Sequence, residues 1–206
     1  MTMQPTLHRP LLRFGLLPWQ TLAAQAVSQV GNPPLLSIAG VGVCASVLDT
    51  PAAWAWTASY CLLAFVIPTL YIVWLFRRGE VADLHLNDRR QRFRPLCASL
   101  VTGGLALVLL VLGGAPPLLV LVAALNLTQG ALFLALTYKW KVSAHCTAAA
   151  GLAMLAMSLL GSDALVLVLG LPLVAWARLH LQRHTPAQVV AGTALGAALW
   201  FLTLLA

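Results

Sequence analysis

The residues of this chain best suited to chemistry are histidines and arginines in three short stretches: DLHLNDRRQRFRPL (residues 83–96), YKWKVSAHCTAAAG (138–151) and ARLHLQRHTPAQVVAG (177–192). A neutral imidazole can attack as a nucleophile or carry a proton to a leaving oxygen, and a guanidinium offers a planar fork of N–H donors that matches phosphate. Carboxylates are scarce beside them, so the set is poor for a divalent metal, whose usual ligands are Asp and Glu oxygens. It suits a phosphoryl group held by Arg, Ser and helix N-termini, with one His as nucleophile and the other as general acid. No metal and no organic cofactor is implied.

Each stretch has a plainer reading beside the chemical one. In the first, Arg89, Arg90, Arg92 and Arg94 precede Pro95 at the opening of a helix, where the missing N–H of proline costs nothing. One or two of these Arg reach a phosphate, or the whole run is a solvated loop beside anionic headgroups. In the second, Ser143 can cap a helix whose first turn holds His145, and that helix start favours an anion. Lys139 and Lys141 add attraction or simply anchor the helix end, and His145 alone fits a structural hydrogen bond equally well. In the third, Thr185, Pro186 and Gln188 form a helix start with a capping-box pattern, and His184 immediately precedes the cap. Gln188 is then either the capping partner or a support for His184. Arg178, Arg183 and His180 come from the preceding segment, and an Arg within hydrocarbon is costly unless it meets an anion or water.

The elements that must position these groups are apolar helices. The 206 residues are 61% hydrophobic and 8% charged, with 12 Lys plus Arg against 5 Asp plus Glu, for a net charge of +7. That much apolar surface suits lipid rather than water as solvent, so the expectation is an integral membrane protein: an all-α polytopic transmembrane bundle of one domain over residues 1–206. No basic tail suggests a nucleic-acid partner. The N-terminal arm or interfacial segment, residues 1–33, lacks a clean signal-peptide pattern and is expected to remain part of the fold. Cys44, Cys61, Cys97 and Cys146 have no metal-site spacing and read as small buried residues.

Expected spans are Pro34–Leu48, Ala55–Phe76, Leu96–Leu112, Pro117–Thr137, Ser143–Leu160, Ala164–Ala177 and Ala187–Leu205, seven in all, or six if the short first one is re-entrant or interfacial. Threading them puts every Lys and Arg on one side and leaves Asp49 and Asp163 on the other. The positive-inside rule makes the basic side cytoplasmic, in a plasma or inner membrane. The three polar stretches, spanning residues 83–188, share that side.

In this order the motifs resemble those of the type 2 phosphatidic acid phosphatase superfamily, which also contains vanadium haloperoxidases. That family has Lys, six residues, then Arg-Pro; next Pro-Ser-Gly-His; and last Ser-Arg, five residues, His, three residues and Asp. Here Arg94-Pro95 closes the first motif with Asn87 at the Lys position, and VSAH (142–145) keeps Ser143 and His145. The last motif keeps Arg178 and His184 at the required separation, with Ala177 for Ser and Gln188 for Asp. The resemblance implies His184 as the nucleophile forming a phosphohistidine and His145 as the acid for the leaving oxygen. It also implies phosphate binding by Arg94, Arg178 and Ser143, with Arg90 or Lys141 replacing the positive group missing at Asn87. Gln188 takes the place of the carboxylate that orients the nucleophile. The implied activity is metal-independent hydrolysis of a phosphate or diphosphate on a membrane lipid of polyprenyl or phosphatidate type. The alternative is a non-catalytic relative that binds anionic lipid or a partner through the same face.

Overall fold

Prolines and small polar caps divide the chain into helices. Helix α2 (Pro33–Leu48), α3 (Pro51–Cys61), α6 (Pro117–Lys139) and α9 (Pro186–Trp200) all begin on a proline, the residue whose missing N–H is least costly in a first turn. Thr50 and Thr185 add side-chain caps to α3 and α9. The remaining helices are α1 (Trp19–Val30), α4 (Ile67–Arg77), α5 (Phe93–Leu112), α7 (Ala144–Leu160) and α8 (Leu165–His180). A π turn, Leu62–Val66, joins α3 to α4, and a 3-10 turn, Arg89–Arg92, leads into α5. The computed structural model describes residues 19–84, 86 and 88–204, and for Arg89 the backbone alone; among them there is no strand. Asn87 and the first 18 residues of the expected N-terminal arm lie outside the described residues.

Five helical stretches are long and apolar enough to cross a membrane, or six if α1 and α2, bent by 49°, form one span. Their surfaces fit that environment. Large apolar side chains such as Val101, Leu105, Leu112 and Leu169 point outward, while Ala148, Ala149, Ala150, Ala153 and Ala156 line the buried face of α7. Small residues inside let helix backbones approach, which is the way helices associate where lipid is as apolar as leucine.

The five or six stretches meet the expected six or seven at six, and two local features decide how they are divided. The expected segments Ser143–Leu160 and Ala164–Ala177 are joined by the 3-10 turn Gly161–Ala164 into one stretch, Ala144–His180. Gly161, at φ 60 and ψ −134, takes a positive-φ conformation open chiefly to glycine where α7 ends, and α8 then returns along it. Both ends of this stretch therefore lie at the same end of the bundle. The first expected span, Pro34–Leu48, is bent onto α1 rather than standing alone.

Helix α7 is the centre of the bundle and packs most extensively against α9, then α2 and α8. The α7–α9 contact is close because Gly192 and Gly196 face it. A Cβ at Gly192 would lie 2.6 Å from the backbone oxygen of Ser143, and one at Gly196 would collide with the backbone oxygen of Thr147. A second, smaller core of Leu75, Val81 and Leu86, backed by Tyr71 and Ile72, folds the segment after α4 against that helix. This brings the arginine-rich turn over the end of the bundle where α7 and α9 begin.

Candidate functional site

Three helix ends build the site. Ser143 caps α7 with its hydroxyl accepting from the Cys146 N–H at 3.4 Å, which sets His145 in the first turn. Thr185 caps α9 in a complete capping box: its hydroxyl accepts from the Gln188 N–H at 3.4 Å, and Gln188 Oε1 accepts from the Thr185 N–H at 3.2 Å. The Ser143 N–H donates to the Gln188 carbonyl at 3.3 Å, locking the two starts together. Helix α8 ends beside them, and Gln182, at φ 52, turns the chain so that His184 faces inward.

His184 lies against Gln188 Oε1 at 3.1 Å through Nδ1. The Thr185 N–H can only donate, so the Gln188 atom it meets is the oxygen, and the His184 Nδ1 must be the protonated nitrogen. The Nε2 lone pair is then the one left for the cavity. Burial pushes the imidazole down to about 4, against the raising effect of the Gln188 hydrogen bond, and the cationic Arg178, Arg92 and Lys141 push it further down. His184 is therefore neutral at pH 7 and surrounded by positive charge.

Arg178 is buried within α8 and donates from Nη1 to Ser28 Oγ at 2.6 Å. The same hydroxyl is 3.5 Å from His145 Nε2, the outer edge of a hydrogen bond, so α1, α7 and α8 meet at one serine. Arg92, at the end of the 3-10 turn, is buried and donates from Nε to the Leu86 carbonyl at 2.7 Å. Leu86 itself is held at φ 50, an uncommon backbone state for a bulky residue. Two buried guanidinium nitrogens, Arg92 Nη1 and Arg178 Nε, have no hydrogen-bond partner among the described residues.

Arg92, His145, Arg178 and His184 line one cavity of about 530 Å³. Phe65, Ile72, Leu96, Leu100 and Phe133 form much of its apolar wall, and Tyr60, Asn126 and Gln129 line it as well. Among the described residues no group of three or more His, Cys, Asp or Glu is placed to hold a metal ion. The arrangement can hold a compact anion beside two imidazoles while an apolar chain occupies the rest.

The other residues singled out from the sequence fall around this cavity rather than on its wall. Arg94 is exposed and donates to Glu80 at 2.6 Å, and Arg78 pairs with the same carboxylate at 3.4 Å. Arg90 is exposed, with its backbone N–H on Asp88 Oδ1 at 2.9 Å. Ser143 is fully buried in its cap, and Gln188 stands behind His184. Lys141 lies at the edge; burial lowers its ammonium, and Arg92, Arg178 and Arg183 lower it further while Asp83 opposes them. His180 is turned away, stacked on Trp176 and 3.2 Å from Thr21 Oγ1.

Sequence reasoning did not single out Ser28, nor Arg92 from among its neighbours. For Ser28 there was no local signal, since its partners lie 117 and 150 residues away. For the α7–α9 contact a signal was present: Gly192 and Gly196 are four residues apart in an apolar helix, the spacing at which two helix backbones meet. No family model, curated protein or solved structure matches the chain.

Proposed function

We propose that this membrane protein hydrolyses a phosphate or diphosphate group on a membrane lipid, without a metal, through a phosphohistidine. The observation that carries this reading is the pair of buried, unpartnered guanidinium nitrogens, Arg92 Nη1 and Arg178 Nε, on residues that share a cavity with two histidines. A buried cation with an unused donor costs stability, and an anion in the cavity removes that cost. The apolar wall suits a lipid chain.

In this scheme His184 Nε2 attacks the terminal phosphorus, the bond from that phosphorus to the leaving oxygen breaks, and His145 gives that oxygen a proton. The leaving oxygen belongs to the lipid alcohol for a phosphate and to the lipid monophosphate for a diphosphate. Water then attacks the phosphorus, His145 takes a proton from that water, the bond from phosphorus to His184 Nε2 breaks, and inorganic phosphate leaves. Charge shifts among the phosphoryl oxygens during both steps, so donors already fixed in place stabilise the transition state more than the bound substrate. The basic end of the bundle would face the cytoplasm under the positive-inside rule.

The test is phosphate release from polyprenyl phosphate, polyprenyl diphosphate and phosphatidate by purified protein in EDTA. Release from at least one lipid, its loss in His184→Ala, and an acid-labile phosphoprotein in rapid-quench samples are expected. Full turnover by His184→Ala rejects the nucleophile. A second reading rests on Gln188: its amide is neutral where a developing imidazolium favours a carboxylate, which suits a protein that binds anionic lipid without turnover. Tight phospholipid binding with no release across the panel selects that reading.

A further inference from the structure

Resting on the reading of the cavity as a lipid-phosphate site, we infer that it also recognises an acyl carbonyl of the lipid, through the side-chain amide of Gln129. Gln129 and Asn126 lie one turn apart on α6, inside a stretch that otherwise reads as membrane-spanning hydrocarbon, and both line the cavity. A primary amide in such a place is costly unless its donors and acceptors are used.

The orientation of the Gln129 amide follows from its partner. The Trp200 indole Nε1–H donates to Gln129 Oε1 at 2.8 Å, and an indole nitrogen cannot accept. The oxygen is therefore committed, and the two N–H donors of Nε2 are what Gln129 has left for the cavity. Asn126 faces the Tyr60 hydroxyl, which lines the same space. The indole is itself held close to α7: a Cβ at Gly151 would lie 2.7 Å from the Trp200 ring and 3.3 Å from Gln129 Oε1.

That contact also fixes depth. Gly151 follows His145 by six residues on α7, and at 1.5 Å per residue Gln129 lies about 9 Å further into the bundle than His145. A ligand anchored by its phosphate between the histidines thus meets a pair of N–H donors below its headgroup. A polyprenyl chain offers nothing but hydrocarbon there. A glycerolipid offers ester carbonyls and an N-acylated sphingolipid an amide carbonyl, so the site selects acylated lipid phosphates over isoprenoid ones.

Binding tests this without relying on turnover. Full-length His184→Ala protein in detergent, which blocks the proposed reaction, is loaded with a fluorescent phosphatidate. It is then titrated with dioleoyl phosphatidate, the dioleyl diether analogue, an N-acyl sphingosine phosphate and a polyprenyl phosphate. The ester competes about 10-fold more tightly than the diether, the worth of one net hydrogen bond, and the polyprenyl phosphate is weaker than the ester. Adding Gln129→Met collapses the ester-to-diether ratio to near one, and Trp200→Phe, which removes the donor that commits Gln129 Oε1, lowers it. The ratio in the parent protein stands even where Gln129→Met does not fold. Equal binding of ester and diether, or tighter polyprenyl phosphate, overturns carbonyl recognition and leaves the phosphate site standing. Competition by phosphate-free diacylglycerol as strong as by phosphatidate overturns both. An N-acyl sphingosine phosphate that outcompetes the glycerolipid assigns the carbonyl to an amide.

Discussion

The backbone N–H of Ser143 donates to the backbone carbonyl of Gln188 at 3.3 Å, so the caps of α7 and α9 touch through main chain alone. His145 follows one partner by two residues and His184 precedes the other by four, so the two imidazoles are positioned by a contact that no side chain mediates. The contact exists because Gly192 and Gly196 allow α9 to lie on the α7 backbone. The site is thus a consequence of helix packing before it is a consequence of its ionisable groups.

Gly192→Ala should therefore damage both stability and the site. The added Cβ would lie 2.6 Å from the Ser143 oxygen, and backbone cannot move aside as a flexible side chain would. A loss of about 1–3 kcal/mol is expected, the usual cost of overpacking, read as a lower melting temperature in detergent. Gly42→Ala is the matched control: it is also helical, nothing lies within 4 Å of its added Cβ, and its melting temperature should hold or rise. Equal behaviour of the two variants would deny the α7–α9 crossing its role.

Arg92 and Arg94 should differ sharply in anion binding. Arg92 lines the cavity and carries a buried, unpartnered Nη1, whereas Arg94 is exposed and engaged with Glu80. Arg92→Gln should weaken orthovanadate binding by about 10- to 100-fold, the range for losing a hydrogen bond to a charged group. Arg94→Gln should change it by less than about twofold, since an exposed charge is screened. Calorimetric titration measures both, and a larger loss from Arg94→Gln would transfer the phosphate-binding role to it.

The pair also shows where sequence was informative and where it was not. Helix starts at Ser143 and Thr185, and the Gln188 capping partner, were legible because each is a pattern over three or four neighbouring residues. Choosing Arg92 over Arg94 was not: residues two apart on a helix point about 200° away from one another, and the direction depends on where the turn Arg89–Arg92 meets α5. The apolar helical character was plain from composition, but the number of spans depended on a 3-10 turn of four residues, Gly161–Ala164, and on the α1–α2 bend. The meeting of Ser28, His145 and Arg178 is wholly tertiary.

His184 should make stability depend on pH below neutrality. Burial holds its folded value at about 4, against 6.5 in an ordinary setting. Above pH 6.5 the ring is neutral in both folded and unfolded chains, and stability is at its plateau. As pH falls from 6.5 towards 4 the unfolded chain takes up a proton that the folded protein does not, so stability falls. Over that window the loss is about 3 kcal/mol for this group. Melting temperatures in detergent from pH 7.5 to 4.5 should fall more steeply for the parent than for His184→Gln. Parallel curves would mean that the ring titrates normally in the folded state.

Gln188→Glu should convert the His184 environment from a neutral to a charged partner without moving the helix. Glutamate has the same reach, and it is a preferred residue at this position of a capping box, so the Thr185 N–H keeps its acceptor. A carboxylate on Nδ1–H favours the imidazolium and raises the His184 value from about 4, moving the acid limb of kcat/KM upward. The same charge stabilises the positive ring formed when Nε2 bonds to phosphorus. Turnover should then increase at least about 10-fold, against about 10⁴-fold for the reverse change in a serine protease, where aspartate orients the histidine. A shifted acid limb with unchanged kcat would show that the carboxylate reaches His184 while attack by His184 does not limit the rate. An unshifted limb with unchanged kcat would remove Gln188 from any part in orienting the nucleophile.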